Sequence, residues 1–266
     1  MNRHLGIVLG AVAFFYMAAA LFLYFGQREL LYFPTPAENI KGFDALIIEN
    51  GEHPVSVWSA QRQQARYDRN ALIYFGGNAE SLLYTATLLN SLFPEKSIYL
   101  PNYRGYGGRT GHPSEAALYE DALAVYDWVK QRHSSVSVIG RSLGSGVATY
   151  LASEREPRQL VLVTPFDSIE NMARDTFYMF PVSWLLKDKF DSLARADAIH
   201  APTLLIMAEQ DEVIPRAHSE RLHQALAPQK IDAVTVDGAT HNDIATHKEY
   251  TMALLIFLES QALPVQ

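Results

Sequence analysis

The most extended feature of the hydropathy pattern is an uncharged run over residues 5–25. At ~1.5 Å per residue, a helix of this length would span ~31 Å, about the hydrocarbon thickness of a bilayer. A surface helix of a soluble protein keeps a polar face, and this run has none. The pattern therefore predicts one membrane-inserted segment, with a buried core helix as the alternative.

The sequence around this run bears on whether it is retained and how it is oriented. Small residues at 18–20 resemble a signal-peptidase site, but the run stays apolar through residue 25, which favours an uncleaved anchor over a signal peptide. We expect residues 1–28 to form the anchor and residues 29–40 a tether, because Pro34 and Pro36 interrupt helices. Basic residues flank both ends, so the charge pattern gives only a weak preference for an extracytoplasmic domain on this single-pass anchor.

Beyond the tether, short apolar runs alternate with helical patterns in one domain over residues 41–266. Runs that are apolar throughout fit strands buried on both faces of a parallel sheet. Strands are expected at 45–48, 55–58, 71–75, 97–100, 136–139, 160–163, 203–207 and 233–236, and helices at 79–92, 114–132, 142–154, 218–226 and 246–258. This order predicts an α/β fold with a mostly parallel central sheet flanked by helices. The aromatic stretch 166–200 predicts a small helical insertion, with one ordinary surface helix as the alternative.

Composition excludes several classes of function. The formal net charge is −7, which argues against a nucleic-acid partner because such proteins need clustered cationic residues. The absence of cysteine excludes disulfides, thiolate metal sites and a cysteine nucleophile. The histidines are scattered and no His-Glu-x-x-His motif occurs. We therefore expect neither a metal nor a cofactor.

The strongest chemical motif is Gly-Arg-Ser-Leu-Gly at residues 140–144. It lies between a predicted strand and a helix rich in small residues, where a sharp turn needs glycine on both sides of a protruding serine. This context predicts that Ser142 is a nucleophile. The alternative is a glycine-rich helix start whose serine only caps the helix.

A serine nucleophile needs a base, and the base needs an orienting acid. Of the histidines after the motif, His241 lies in a loop between the last strand and the last helix, at the sheet edge where ligands collect. His218, in a charged helical stretch, is expected to be solvated. Asp211 follows the strand at 203–207 and is the expected acid; Glu209, Glu212 and Asp237 remain rivals, as does an ordinary acidic surface loop.

Acyl transfer also needs two donors for the developing oxyanion. The backbone N–H of Leu143, next to the nucleophile, is the first expected donor. The loop Phe-Gly-Gly-Asn-Ala at residues 75–79 follows another strand, and its Asn78 N–H is the expected second donor, with Gly77 as the alternative. The alternative hypothesis, that this loop binds phosphate, is weaker than the oxyanion-donor hypothesis because no Gly-x-x-x-x-Gly-Lys-Ser/Thr motif occurs. The glycine-rich stretch 102–111 is expected to be structural.

Several segments occur in the order of a known family: 74–79, 102–107, 111–115, 140–146, 164–168, 211–215 and 240–243. Through them the chain resembles the α/β-hydrolase fold and, within it, the BEM46-like, ABHD13/ABHD17-type branch. The resemblance implies the triad Ser142, Asp211 and His241. It departs at Gly76, where the family usually has histidine. The branch includes esterases, depalmitoylating thioesterases and relatives without an assigned substrate.

These patterns together predict a membrane-tethered serine hydrolase that cleaves acyl esters, or thioesters, through an acyl-enzyme. Anchoring through residues 5–25 makes a lipid-linked acyl substrate attractive. One alternative is a serine peptidase of the same fold. An alternative of another class is a membrane-attached binding scaffold without catalysis.

Overall fold

The computed structural model describes residues 2–61, 70–226 and 231–260, so the last six residues of the predicted domain lie outside the described part. The strands are β1 Asp44–Ile48, β2 Val55–Ala60, β3 Asn70–Phe75, β4 Ser97–Pro101, β5 Ser135–Arg141, β6 Leu160–Val163, β7 Thr203–Gln210 and β8 Ile231–Thr240. The α-helices are α1 Asn2–Leu31, α2 Leu82–Leu92, α3 Glu115–Lys130, α4 Leu143–Glu154, α5 Ile169–Thr176, α6 Val182–Leu185, α7 Arg216–Leu226 and α8 Lys248–Ser260. Each expected strand and helix is therefore present, with shifted ends.

The eight strands form one sheet in the order β1-β2-β4-β3-β5-β6-β7-β8. Strand β2 pairs antiparallel with both β1 and β4, whereas every pair from β4–β3 to β7–β8 is parallel. The carboxyl ends of β3, β5, β6, β7 and β8 therefore lie along one edge. The prediction of a mostly parallel α/β sheet is confirmed.

Alternating residues of the central strand β3 supply both faces of the core. Ile73 and Phe75 pack with α3, α4 and α7, whereas Leu72 and Tyr74 pack with α2 and α8. These four side chains are at most 1% exposed. Because neighbouring residues of a strand point to opposite faces, a fully apolar run is what a sheet covered on both sides requires.

The segment after β6 forms the small helical insertion expected at 166–200. It contains α5, α6 and a 3-10 helix at Leu193–Ala198. A buried polar cluster joins its base to α7: the Asp167 carboxylate contacts His218 Nδ1 at 2.7 Å and Arg221 Nε at 2.7 Å. His218 is 1% exposed, so the expectation that it is solvated is wrong. Its partner lies 51 residues earlier in the chain, where helix periodicity gives no signal.

Helix α1 continues through Leu31, three residues into the expected tether, and Pro34 and Pro36 follow it. Within the described residues, the stretch His4–Leu31 is the one helix whose length and apolar composition suffice to cross a membrane. The last turns of α1 contact the insertion. Arg28 pairs with Asp188 at 2.8 Å, so the end of the apolar helix is attached to the folded domain.

Candidate active site

Three side chains from distant parts of the chain meet at the carboxyl edge of the sheet. Ser142 directly follows β5, Asp211 follows β7 and His241 follows β8. His241 Nε2 lies 2.9 Å from Ser142 Oγ, and His241 Nδ1 lies 2.9 Å from Asp211 Oδ2. This is the contact order in which a base receives a hydroxyl proton while a carboxylate holds its other nitrogen.

The turn at Ser142 has the strained geometry of a nucleophile elbow. Ser142 has φ 51° and ψ −118°, outside the regions that non-glycine residues usually occupy. A Cβ on Gly144 would overlap the carbonyl oxygen of Phe75, and one on Gly140 would overlap that of Gly144. The two glycines therefore let α4 approach the sheet closely. The Ser142 hydroxyl makes no cap hydrogen bond to α4, so the capping alternative does not hold.

The Asp211 carboxylate is held by its own loop. Asp211 Oδ1 accepts the backbone N–H groups of Val213 and Ile214 at 2.9 and 2.7 Å, and both carboxylate oxygens lie within 3.0 Å of His241 Nδ1. The side chains of Asp211 and His241 are each 6% exposed. Burial strengthens this pairing, because little water competes for the carboxylate.

The rival acids have other partners. Glu209 accepts the backbone N–H of Gly238 at 2.7 Å, and Glu212 accepts the backbone N–H of His241 at 3.1 Å. Asp237 is exposed on β8. Glu209 and Glu212 thus brace the loop that carries His241, whereas Asp211 reaches its ring.

The backbone segments that carry the two expected oxyanion donors adjoin Ser142. Leu143 is the first residue of α4, and N–H groups in the first turn of a helix have no intrahelical acceptor. Gly77 N–H donates to Glu80 Oε2 at 2.6 Å and is therefore occupied. A Cβ on Gly77 would lie 3.5 Å from Ser142 Cβ, so the loop that carries Asn78 runs beside the serine. This arrangement favours Asn78 over Gly77.

A buried network beneath the serine was not predicted from the sequence. The Glu80 carboxylate pairs with Arg141 at 3.1 Å, and it also accepts hydrogen bonds from Tyr74 and Thr85. Arg141 in turn donates to the carbonyl oxygen of His241 at 2.9 Å. Burial, together with the nearby Glu80, raises the pKa of Tyr74 well above its ordinary value, so its hydroxyl stays a donor. The network links the elbow, the glycine loop and the histidine loop.

The Asn78 side chain joins the end of α1 to this site. Its amide nitrogen donates to the carbonyl oxygen of Leu31 at 2.6 Å. Its amide oxygen accepts from Phe33 N–H at 2.9 Å and from the Tyr106 hydroxyl at 2.7 Å. Burial raises the pKa of Tyr106 to about 12, which keeps that donor protonated. The glycine-rich stretch expected to be structural therefore supports the site through Tyr106, and Tyr103 also donates to Gly76 O at 2.8 Å.

The site uses no metal-binding constellation in the described residues. Within residues 2–61, 70–226 and 231–260, no three histidine, aspartate or glutamate side chains are grouped as a metal ion would need. The chemistry that the arrangement supports is nucleophilic attack by an alcohol on an acyl carbonyl.

Comparisons with known proteins indicate the family of the chain. The family model described as serine hydrolase FSH1 matches residues 85–242. An uncharacterised protein of Mycobacterium tuberculosis is 32% identical over 89% of this chain and 88% of its own length. The lysophosphatidylserine lipase ABHD12 of Xenopus tropicalis is 36% identical, over 48% of this chain and 39% of its own.

Solved structures share the fold. The Pyrococcus furiosus esterase Pf2001 superposes with a TM-score of 0.67 at 19% identity, covering 86% of this chain and 98% of its own. Esterase Est1E of Butyrivibrio proteoclasticus has a TM-score of 0.66 at 17% identity, over 82% and 98% of the two chains. The family match, which spans more than half of the chain, and the α/β-hydrolase fold lead to one conclusion. The chain belongs to the FSH1 family of serine hydrolases and is a hydrolytic enzyme.

Proposed function

We propose that the protein is a membrane-tethered esterase, with thioesters as related substrates, and that Ser142, His241 and Asp211 are its catalytic residues. The observation that carries the proposal is the 2.9 Å contact between His241 Nε2 and Ser142 Oγ. A serine hydroxyl is a weak nucleophile at its free pKa, and such a contact supplies the base that it needs.

The reaction proceeds in two acyl-transfer steps. His241 takes the Ser142 proton as Oγ attacks the carbonyl carbon, and it then protonates the leaving alcohol or thiol as the bond to the acyl group breaks. Water, deprotonated by the same imidazole, attacks the acyl-enzyme; the bond between Ser142 Oγ and the acyl carbon breaks, His241 returns the proton to Oγ, and the acid is released. Asp211 holds the Nδ1–H tautomer and stabilises the imidazolium.

The oxyanion receives hydrogen bonds from the backbone N–H groups of Leu143 and Asn78. Loss of one such donor typically costs ~3–4 kcal/mol of barrier. Because both donors are backbone groups, side-chain substitutions at these positions leave the N–H in place. The rigidity of the two loops is therefore what preserves this contribution.

The substrate proposed is a lipid-like acyl ester. Two observations support it: the printed name of the relative ABHD12, a lysophosphatidylserine lipase, and the apolar helix α1 next to the site. An enzyme held at a bilayer meets membrane-partitioned esters at high local concentration.

The experiment compares His241→Ala with His247→Ala on nitrophenyl butanoate, a butanoyl thioester and a peptide nitroanilide. His241→Ala is expected to lower kcat by ~1000-fold or more on the first two substrates. His247→Ala, a neighbouring histidine that does not touch Ser142, should behave as the unchanged protein. Equal activity of the two variants would refute the role of His241, and cleavage of the peptide alone would replace esterase with peptidase.

The proposed organisation is an anchor at residues 1–28, a tether at 29–40 and a hydrolase domain at 41–266, with the helix kept in a membrane. In the full chain, Leu9→Arg combined with Val12→Arg is expected to release the protein on carbonate extraction, because each charge at mid-bilayer costs ~2.5–3.5 kcal/mol. The control is Ile47→Arg, at an equally exposed apolar position on β1. Retention of the double variant in the membrane would refute the anchor.

A further inference from the structure

A cavity of about 420 Å³ lies between the second half of α1 and helices α5 and α6 of the insertion. None of the described residues that line it is charged. Most of its wall is aliphatic or aromatic, and representative lining residues are Leu23, Leu30, Met172, Phe177 and Leu185. Its volume lies within the range typical of small-molecule sites.

The main polar side chain in the wall is already used by the protein. Gln27 donates through Nε2 to the carbonyl oxygens of Tyr24 and Leu185, at 2.7 and 3.1 Å. Its Oε1 accepts the Lys187 N–H at 2.7 Å. An occupant of the cavity therefore finds apolar surface and few polar partners, which suits an aliphatic chain rather than a headgroup.

One end of the cavity is connected, through Leu31 and Asn78, to the loop beside Ser142. Leu31, which lines the cavity, is hydrogen-bonded through its carbonyl oxygen to the side chain of Asn78. Gly77 precedes Asn78 in the chain, and a Cβ atom added to Gly77 would lie 3.5 Å from the Cβ of Ser142.

The other end of the cavity lies near Tyr16, in the middle of α1. The ring of Phe180, which lines the cavity, stacks on Tyr16 with centroids 5.1 Å apart, and the Tyr16 hydroxyl donates to Met179 O at 2.8 Å. Along α1, residues 16 to 31 cover about 22 Å. Beside this contact the insertion exposes Tyr178 and Trp184, which are 79% and 89% accessible. The proposed anchor at residues 5–25 places these exposed aromatic side chains in or next to the bilayer, and aromatic residues are typical of its interface.

We propose that this cavity is the acyl-chain subsite: it holds the aliphatic chain of the ester whose carbonyl Ser142 attacks. The chain enters from the bilayer beside Tyr16 and extends toward Leu31, which leaves the carbonyl at the oxyanion donors. The inference rests on the proposed function and deepens it, because it assigns the substrate class to esters of medium- or long-chain fatty acids.

The test is a chain-length series of nitrophenyl esters, each below its critical micelle concentration, with the full-length protein. Between butanoate and octanoate, kcat/KM is expected to rise about fourfold for each methylene, the factor that full burial of a CH₂ group provides. Ala173→Phe, which fills the cavity, should lower kcat/KM for octanoate about tenfold and leave butanoate within about twofold. The matched control is Ala233→Phe, at an exposed position of β8 outside the cavity.

A second variant, which removes side-chain volume, tests the subsite without the steric clashes that a larger side chain could cause. Met172→Ala enlarges the cavity and should move the preferred ester to a longer chain. Unchanged chain-length profiles in both cavity variants, or equal losses on butanoate and octanoate in Ala173→Phe, would overturn the subsite while leaving the esterase proposal intact. Failure of the unchanged protein to cleave either ester would refute the proposed function, and the subsite with it.

Discussion

Two regions of the molecule are built in opposite ways: the sheet edge that carries the proposed triad, here called the catalytic edge, and the side where α1 packs on the insertion, here called the α1–insertion side. At the edge, backbone groups of the elbow approach one another so closely that Gly140 and Gly144 have no room for a Cβ, and buried carboxylates hold the loops. Beside α1, mostly apolar side chains line a cavity of about 420 Å³. The difference suggests that one region fixes reacting atoms, whereas the other provides space for a substrate chain.

Among substitutions outside the proposed triad, the largest effect is expected at Gly144, where the edge is most tightly packed. Gly144→Ala would drive a Cβ into the carbonyl oxygen of Phe75 and shift Ser142 away from His241. Displacement of reacting groups by ~1 Å costs about 100-fold in rate, so kcat on nitrophenyl butanoate should fall at least that far. Gly10→Ala, where a Cβ meets open space on α1, is the control and should keep full activity. If Gly144→Ala were as active as this control, the claim that close packing at Gly144 holds Ser142 against His241 would be wrong.

The next effect tests the buried network beneath the serine. Glu80→Gln keeps the side-chain size but removes the charge that faces Arg141 and the strong acceptor of Gly77 N–H. We expect kcat to fall about tenfold with KM within about twofold, because Glu80 positions the loops and does not bind substrate. Glu249→Gln, on the exposed face of α8, is the control. An increase in KM with unchanged kcat would contradict a positioning role.

The smallest effect on catalysis is expected at the base of the insertion. Burial of Asp167 opposes its ionised form, but hydrogen bonds from Arg221 and His218 outweigh this and hold its pKa below the ordinary carboxyl value. Asp167→Asn should therefore lower the free energy of unfolding by about 2 kcal/mol at pH 7 and leave kcat on butanoate within about twofold. Thermal melting measures the difference, with exposed Asp237→Asn as the control.

The difference in the free energy of unfolding between the unchanged protein and Asp167→Asn should depend on pH in a defined direction. A pKa that is lower in the folded protein than in the unfolded chain favours folding when the carboxyl is ionised. The contribution of Asp167 is complete above about pH 4 and is lost as the pH falls below it. The gap between the unchanged protein and Asp167→Asn should thus narrow in acid, and a gap that widens there would refute this account of the cluster.

The catalytic edge was far more predictable from the sequence than the α1–insertion side. Ser142 lies in a local motif, and His241 and Asp211 follow strands whose carboxyl ends must share an edge in a parallel sheet. Each inference needs only the residues around it and the order of strands. The open choices between Asn78 and Gly77, and among the acidic residues, depend on which hydrogen bonds are already made in the folded protein, and the sequence does not show these.

Contacts between distant segments account for what the sequence did not predict. Gln27 meets Leu185 across 158 residues, and His218 meets Asp167 across 51. Neither pair belongs to a motif or to a repeating pattern. Glu80 follows the glycine loop, yet nothing in its neighbourhood indicates that Arg141 will lie against it. The seating of α1 on the insertion, and the cavity that it encloses, result from such pairings.

The central claim is that the hydroxyl group of Ser142 is a reactive nucleophile. Its most direct test is covalent labelling with a fluorophosphonate probe of the unchanged protein, Ser142→Ala and Ser153→Ala. Ser153 lies in α4, and its hydroxyl donates to Tyr150 O. The account predicts full labelling of the unchanged protein and of Ser153→Ala, and none of Ser142→Ala. Equal labelling of all three would contradict it.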